Sequence, residues 1–370
     1  MQRRVVLQSI AALGAPAVLC HARAVSAVRV GISLPITSVQ SAVAADLKAG
    51  LQLAFARAQQ RGMDISPEWE DDKSEPDRTC AAMERFGTDP RFLATTSIVG
   101  TPHAIKALPV AARVGLPVVG LRSGSSELRD GRAGVFHLRA SFNDELNKML
   151  SQIAGPGPTP FAVVYSDDAF GRAAIQHVKL VAAAKKMELV ASAAADRNGA
   201  NVQAMVTSVV RQPGKPAGAL LMLMIAEPME RGVRHARETL NFLNPIFCMS
   251  FCATRSLAES RAEYLKGLGL MSAFPLPRVD ITPLSQDFVR LAKAFNPGTE
   301  RSLTSYEGFV YGSTLTQGLA QAKELSRAGL RAALRRPLNV GGYRIAFDDR
   351  NVGFRYLQTL RKSYDGVLRA

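Results

Sequence analysis

Two adjacent carboxylates, Asp167 and Asp168, followed by Phe170 and Gly171, separate the apolar run FAVVYS (161–166) from a helix-like pattern. Paired acids can act as an acid–base couple, hold a metal ion, or line a cleft that only binds. The run reads as a parallel strand, so the acids fall at its carboxyl edge, where open α/β sheets bind ligands. Carboxylates at the first position of a helix also cap free N–H groups and suit the dipole. That is the role we expect of both, with Phe170 at the same carboxyl edge. Nothing in the sequence completes a catalytic set. There is no G-x-S-x-G elbow, no phosphate loop and no dinucleotide fingerprint after the first strand. Beyond the leader described below, the histidines are His103, His137, His177 and His235, and none stands at ligand spacing from another or from a cysteine. The reading is therefore a chain that holds something: not an enzyme, with no metal and no cofactor. His177 is expected at a surface or boundary, and His103, after a strand end, is a candidate to face the cleft.

The elements that would position these residues alternate strand and helix. VRVGISLP (28–35) is an apolar run closed by proline, and 42–62 repeats apolar residues at three and four before Gly62. DISPEWEDD, DRTCAAMERF, FLATTSIVG, AIKALPVAARVG and LPVVGLRS continue as strand, helix, strand, helix, strand. A second series runs from FAVVYS to PIFCMSF at residue 251. This rhythm implies two comparable α/β units, each a mainly parallel sheet covered on both faces. A long helical stretch (305–325) and the strand-like runs GGYRIAF and FRYLQTLR follow.

The 370 residues open with Arg3 and Arg4, an apolar stretch from Val5 to Cys20, and small residues ending at Ala27. That is a secretory signal pattern too short for a membrane span, with cleavage expected after Ala27 and the periplasm as destination. The Arg-Arg pair leaves the general and twin-arginine routes open. Cleavage removes Arg3, Arg4 and Arg23 and no acid, taking the formal charge from +15 to +12. The basic residues are scattered, and export argues against nucleic acid as a partner. The densest group, Arg327 to Arg336, reads as a solvated helix face. Cys80, Cys248 and Cys252 remain in an oxidising compartment, an odd number that leaves at least one thiol free. Whether Cys248 and Cys252 join is open.

Several stretches together resemble a known family. SLPITSVQSAVAADLKAGLQLA, WEDDKSEPDRTCAAMERF, IVGTPHAIKALPVAARVGLPVVG, FAVVYSDDAFGRAA, MSFCATRSLAE, TSYEGFVYG and NVGGYRIAFDDRN occur in the order found in the periplasmic substrate-binding proteins of ABC importers, in the branched-chain amino-acid (Leu/Ile/Val) binding branch. The resemblance covers nearly all of the chain after the leader.

It implies a two-lobed type I fold with three crossover strands, closing by hinge motion on a ligand. Lobe I would be 28–140 and 275–338, and lobe II 141–274 and 339–370, with crossings near Ala140, Phe274 and Leu338. The loops carrying Thr101 and Ser123, Gly124 and Ser125 would offer hydroxyl and N–H groups to a ligand carboxylate. Arg122 would be able to reach the same anion, and Phe170 would cover its apolar part. Ser250 and Phe251 stand where relatives that bind amino acids place an acid for the ligand ammonium. That departure tilts the ligand towards an organic or aromatic acid, an amino acid remaining open with Glu227 or Glu307 as the ammonium partner. Cys80 would be buried in the second helix and unpaired, because relatives that bridge it use a second cysteine in the same lobe. The implied partners are a small carboxylate ligand and an importer permease, the protein itself a monomer. A ligand sensor built on the same fold is the alternative.

Overall fold

A computed structural model describes residues 27–154, 159–363 and 365–370. The expected leader, apart from Ala27, lies outside the described residues.

The first sheet has the order Ile65–Asp71, Val28–Leu34, Phe92–Thr95, Val118–Val119 and Val135–Phe136, and every pairing is parallel. Its alternating side chains serve two cores. Val28, Val30, Ile32 and Leu34 pack with helices Ser41–Gln59 and Leu303–Gln321, while Phe92 and Val118 pack with helices Pro76–Thr88 and Thr101–Arg113. Where Ser41–Gln59 meets Leu303–Gln321 the backbones nearly touch. A Cβ on Gly50 would lie 1.8 Å from the Ser305 carbonyl oxygen, so only glycine fits there.

The second sheet has the order Leu368–Arg369, Gln358–Lys362, Gly269–Ser272, Ile246–Cys248, Ala219–Leu223, Phe161–Ser166, Leu189–Ala195. Its two C-terminal strands are antiparallel, the others parallel. Ala162 and Val164 face helices Val202–Val210 and Ala226–Arg234, and Phe161 and Val163 face Phe142–Ile153 and Ala169–Ala184. Both sheets are thus buried on both faces, which is why their strands read as apolar runs.

The chain changes core between Leu138 and Phe142 and again between Met271 and Ala273. The third passage lies later than the expected crossing near Leu338. Leu338, Val340 and Ile345 belong to the first core, held by the hairpin Leu338–Val340 and Tyr343–Ile345, and the chain joins the second sheet only at Gln358. The hairpin's apolar residues fill the space beside Leu284 and Tyr306, a demand invisible in a short β-like run.

Two expected strands are broken. FLATTSIVG bends at Ser97, whose φ is +64°, and LPVVGLRS bends at Gly120, whose φ is +75°. A Cβ on Gly120 would meet the Tyr311 ring at 2.6 Å. Beyond the bends, Ile98–Val99 and Leu121–Arg122 form a separate two-stranded parallel pair that turns residues 99–101 and 122 towards the second lobe.

In the arginine-rich run Arg327 to Arg336, Arg335 and Arg336 are exposed as expected, but Arg327 and Arg331 are not part of a solvated face. Arg327 donates to the carbonyls of Phe86, Gly87, Asp89, Phe92 and Val114, and Arg331 to that of Gly115. Those carbonyls end the helix Pro76–Thr88 and the turns around it, where a cation suits the dipole.

Candidate functional site

Between the lobes lies a cavity of about 240 Å³. The first lobe lines it with Val39, Gln40, Val43 and the 99–102 turn, and the second with Phe142, Asp168, Phe170, Arg197, Ala226, Glu227, Glu230, Phe251 and Thr254. Its anion-attracting element is the helix Thr101–Arg113. That helix starts at Gly100, φ +95°, with no side-chain cap, so its first amides carry the helix dipole's positive end into the cavity. Thr101 lines the cavity and shares a 2.9 Å hydrogen bond with Ser123 Oγ, which fixes the hydroxyl.

An aromatic trio forms the opposing wall. Phe142, Phe170 and Phe251 meet edge to face with centroids 4.9, 5.4 and 5.1 Å apart, and all three line the cavity. Phe170 comes from the first turn of helix Ala169–Ala184, and Asp168 caps that helix by accepting from the Gly171 N–H at 2.9 Å. The other Asp168 oxygen pairs with Arg197, and Asp167 pairs with exposed Arg172 at 2.6 Å. The two acids are thus a cap and a surface partner.

Arg122 departs from expectation. It lines the cavity, yet its guanidinium is buried and bonded to Glu307, to the Phe251 carbonyl at 2.7 Å and to Thr304 Oγ1 at 3.1 Å. It is not a free arm for a ligand anion. Glu307 is shared: Arg139 donates to it at 3.0 Å and Tyr311 Oη at 2.5 Å. Arg139 also bonds Glu145 at 3.2 Å and Ser250 Oγ, and Ser250 donates to Glu145 through N at 2.9 Å and Oγ at 2.6 Å. Burial works against the Arg139 charge, but Glu307 and then Glu145 carry its pKa above the ordinary arginine value. Burial likewise raises Glu145, opposed by Arg139 and Ser250. Ser250 therefore belongs to this buried network and does not line the cavity. Gly124 and Ser125 are also outside it: Gly124 packs on Phe142, and Ser125 Oγ bonds Glu127 at 3.1 Å. Glu307, saturated by two guanidiniums, is no ammonium partner.

Neighbouring bonds also link the lobes across the cleft. The segment 251–255 of the second lobe is gripped through its backbone by Arg122 at Phe251 O, Thr304 at Ala253 O (2.8 Å) and Asp46, which accepts from the Arg255 N–H at 2.8 Å. Burial raises the pKa of Asp46, and the Arg255 N–H and Ser302 hydroxyl oppose it.

His103 is buried in the first turn of helix Thr101–Arg113, and among the described residues neither ring nitrogen makes a well-formed hydrogen bond. It lies behind Gly100, not on the cavity wall. Burial and then Arg197 lower its pKa to about 4. His177 is half-buried and bonds Asn147 at 3.0 Å. The thiols of Cys80, Cys248 and Cys252 are free; Cys248 and Cys252 are buried, with Cys252 donating to Met224 O at 3.2 Å. Cys80 is half-buried on the helix Pro76–Thr88, not buried as expected, because it sits at the edge of that helix's apolar stripe. Among the described residues no group of three or more His, Cys, Asp or Glu is placed to hold a metal ion, and no helix is long and apolar enough to cross a membrane.

The sequence reading missed Gln40, Arg197, Glu230 and Thr254 as cavity residues. Arg197 lies just past the carboxyl end of the strand Leu189–Ala195, and that position was the available signal; Glu230 stands within the helix Ala226–Arg234 that follows the strand Ala219–Leu223.

Comparison with known proteins agrees with this architecture. Residues 27–350 match the family described as periplasmic binding protein. A substrate-binding periplasmic protein from Ralstonia solanacearum is 25% identical, superposes with a TM-score of 0.82, and the match covers 92% of this chain and 99% of that one. A leucine-binding protein from Thermotoga maritima is 17% identical with a TM-score of 0.81, covering 93% and 98%. A branched-chain amino-acid transporter substrate-binding protein from Streptococcus pneumoniae, in complex with isoleucine, is 15% identical with a TM-score of 0.80, covering 93% and 98%. No protein of curated function is similar enough to count as a relative. The family match over most of the chain and the two sheets facing one cleft lead to one conclusion: the chain belongs to the periplasmic binding proteins, has their two-lobed type I fold, and binds a solute without transforming it.

Proposed function

We propose that the protein is the exported, monomeric solute receptor of an ABC importer, closing on a small carboxylate-bearing ligand that has an apolar body. The observation that carries the reading is the uncapped N-terminus of helix Thr101–Arg113 facing the Phe142–Phe170–Phe251 trio across one cavity. The helix end supplies unsatisfied amides and a favourable dipole for an anion. The trio supplies apolar area that favours aromatic or aliphatic bodies. The network around Glu307 frames this pocket and contributes no free charge to it. The size suits a small metabolite: about 240 Å³ lies just below the roughly 300–1,000 Å³ usual for ligand sites. A leader at 1–27 would deliver the chain to the periplasm, where a permease would receive it.

The test is a titration series on purified protein with aliphatic, aromatic and dicarboxylic acids, each beside its amide. Acids should raise the melting temperature and the uncharged amides should not. Phe170→Ala should weaken the best acid at least about tenfold. If neutral sugars bind and no acid does, the reading fails. Stimulation of a reconstituted permease ATPase by the liganded protein would test the importer role separately.

A further inference from the structure

We propose that a second cavity, separate from the cleft, is a binding site for a small organic anion with an apolar chain. Its volume is about 400 Å³, above the roughly 300 Å³ at which ordinary ligand sites begin, and it shares no lining residue with the cleft cavity. Its walls are the end of helix Arg255–Glu259, the segment 276–279 that follows the second passage between the cores, the turn at Glu300 and Arg301, and the C-terminal turn 365–368. The five-residue helix stands between the two cavities. Thr254 and Ser256 line the cleft, whereas Ala258 and Glu259 line this one.

The acids on its wall are already answered. Glu259 pairs with Arg255 at 3.3 Å and Asp365 with Arg369 at 2.5 Å, and neither arginine lines the cavity. Glu300 accepts from the Gly298 N–H at 2.7 Å and stands 3.8 Å from Arg301, too far for a hydrogen bond. The cations are not answered. Arg261 and Arg278 make no hydrogen bond or ion pair among the described residues, and Arg301 has only its distant contact with Glu300. Three acids thus face five arginines, and the two guanidiniums left over stand on one cavity wall. Guanidiniums in that state are paired donors for carboxylate or phosphate-like oxygens. The rest of the wall is apolar. Leu276 and Leu368 pack on the second core, while Val279 and Val367 are left 74% and 48% exposed. A chain laid on these four would take from water apolar surface that folding left there. Unanswered cations beside apolar surface favour an anion with a chain over an inorganic anion, which would use the arginines alone, and over a neutral solute.

The experiment is calorimetric titration of the full mature chain with octanesulfonate, octan-1-ol, octylammonium and inorganic sulfate, the octyl compounds kept below their micelle ranges. Octanesulfonate should bind about tenfold or more tighter than the other three. Replacing both arginines, Arg261→Gln with Arg278→Gln, should weaken it about fivefold or more, and Val279→Asp should do the same; neither variant alters a cleft residue. Because the cleft is itself proposed to take an anion, the titration is repeated on Phe170→Ala, which should still bind octanesulfonate. Binding that the double arginine variant keeps in full, that Phe170→Ala alone abolishes, or that octanol or sulfate matches, overturns the site. So does the absence of any binding. Retention of the chain on anionic phospholipid vesicles, with no binding of monomeric octanesulfonate, would assign the arginines to a lipid surface and overturn the small-ligand assignment.

Discussion

Glu307→Gln tests the buried network most directly. Arg122 and Arg139 face Glu145 and Glu307, two cations against two anions, with side chains 0 to 4% exposed. Arg129 lies beside them, donating to the carbonyls of Arg139 and Ala140, and burial followed by Arg139 lowers its pKa to about 10. Removing the Glu307 charge leaves two guanidiniums sharing one carboxylate in a region that already holds a third. Breaking a buried pair from one side typically costs about 3–5 kcal/mol, because the orphaned charge stays desolvated. Replacing both members, Arg122→Met with Glu307→Gln, leaves Arg139 with Glu145 and a balanced charge. The double variant should therefore be more stable than Glu307→Gln by about 1 kcal/mol or more, a non-additive result expected of members of one network. Urea unfolding followed by circular dichroism and by fluorescence of the single Trp69 reads both values. A single variant that loses under about 1 kcal/mol, or a double variant less stable than the single, would refute the charge-balance argument.

Further expectations follow from other sites. His103 and His137 are buried and neutral, with pKa values lowered by burial to about 4 and about 3 from 6.5. Unfolding lets both protonate below 6.5, so their contribution to stability is lost as pH falls from about 6.5 towards about 4, at about 1.4 kcal/mol per pH unit each; His103→Gln should flatten the stability–pH slope by about that much, and an unchanged slope would contradict the burial argument. Arg327→Ala removes a donor from five backbone carbonyls, of which Asp89 O keeps the Phe92 N–H, and should cost at least about 2 kcal/mol, with lysine recovering less than half, measured by thermal unfolding. Alkylation of the native mature chain should label Cys80 first, with Cys248 and Cys252 reacting only after denaturation; a mass two hydrogens short in the unreduced chain would show that they are bridged.

The alternation of strand and helix, the two α/β units and the capping role of Asp168 were legible in the sequence. They depend on local patterns: apolar runs of strand length, periods of three and four, and a carboxylate between a strand and a helix. The family resemblance marked Thr101 and Phe170 for the cleft, but the helix begins at Thr101, three residues before the apolar period of AIKALPVAARVG suggested, and its uncapped start was not legible. What the linear pattern could not carry was pairing. Arg122 looks like an anion-seeking side chain until Glu307, 185 positions away, occupies it. Ser250 reads as a vacancy for an acid until Glu145 and Arg139 close on it. Arg327 looks solvated until five carbonyls from a neighbouring helix end and its turns converge on its guanidinium. In each case a charge's role is set by which opposite charge or carbonyl reaches it through a low-dielectric interior, and that partner is chosen by the packing of distant segments. The sequence by itself determined the order and kind of the main elements; only the tertiary structure decided where two strands break and which charges were already paired.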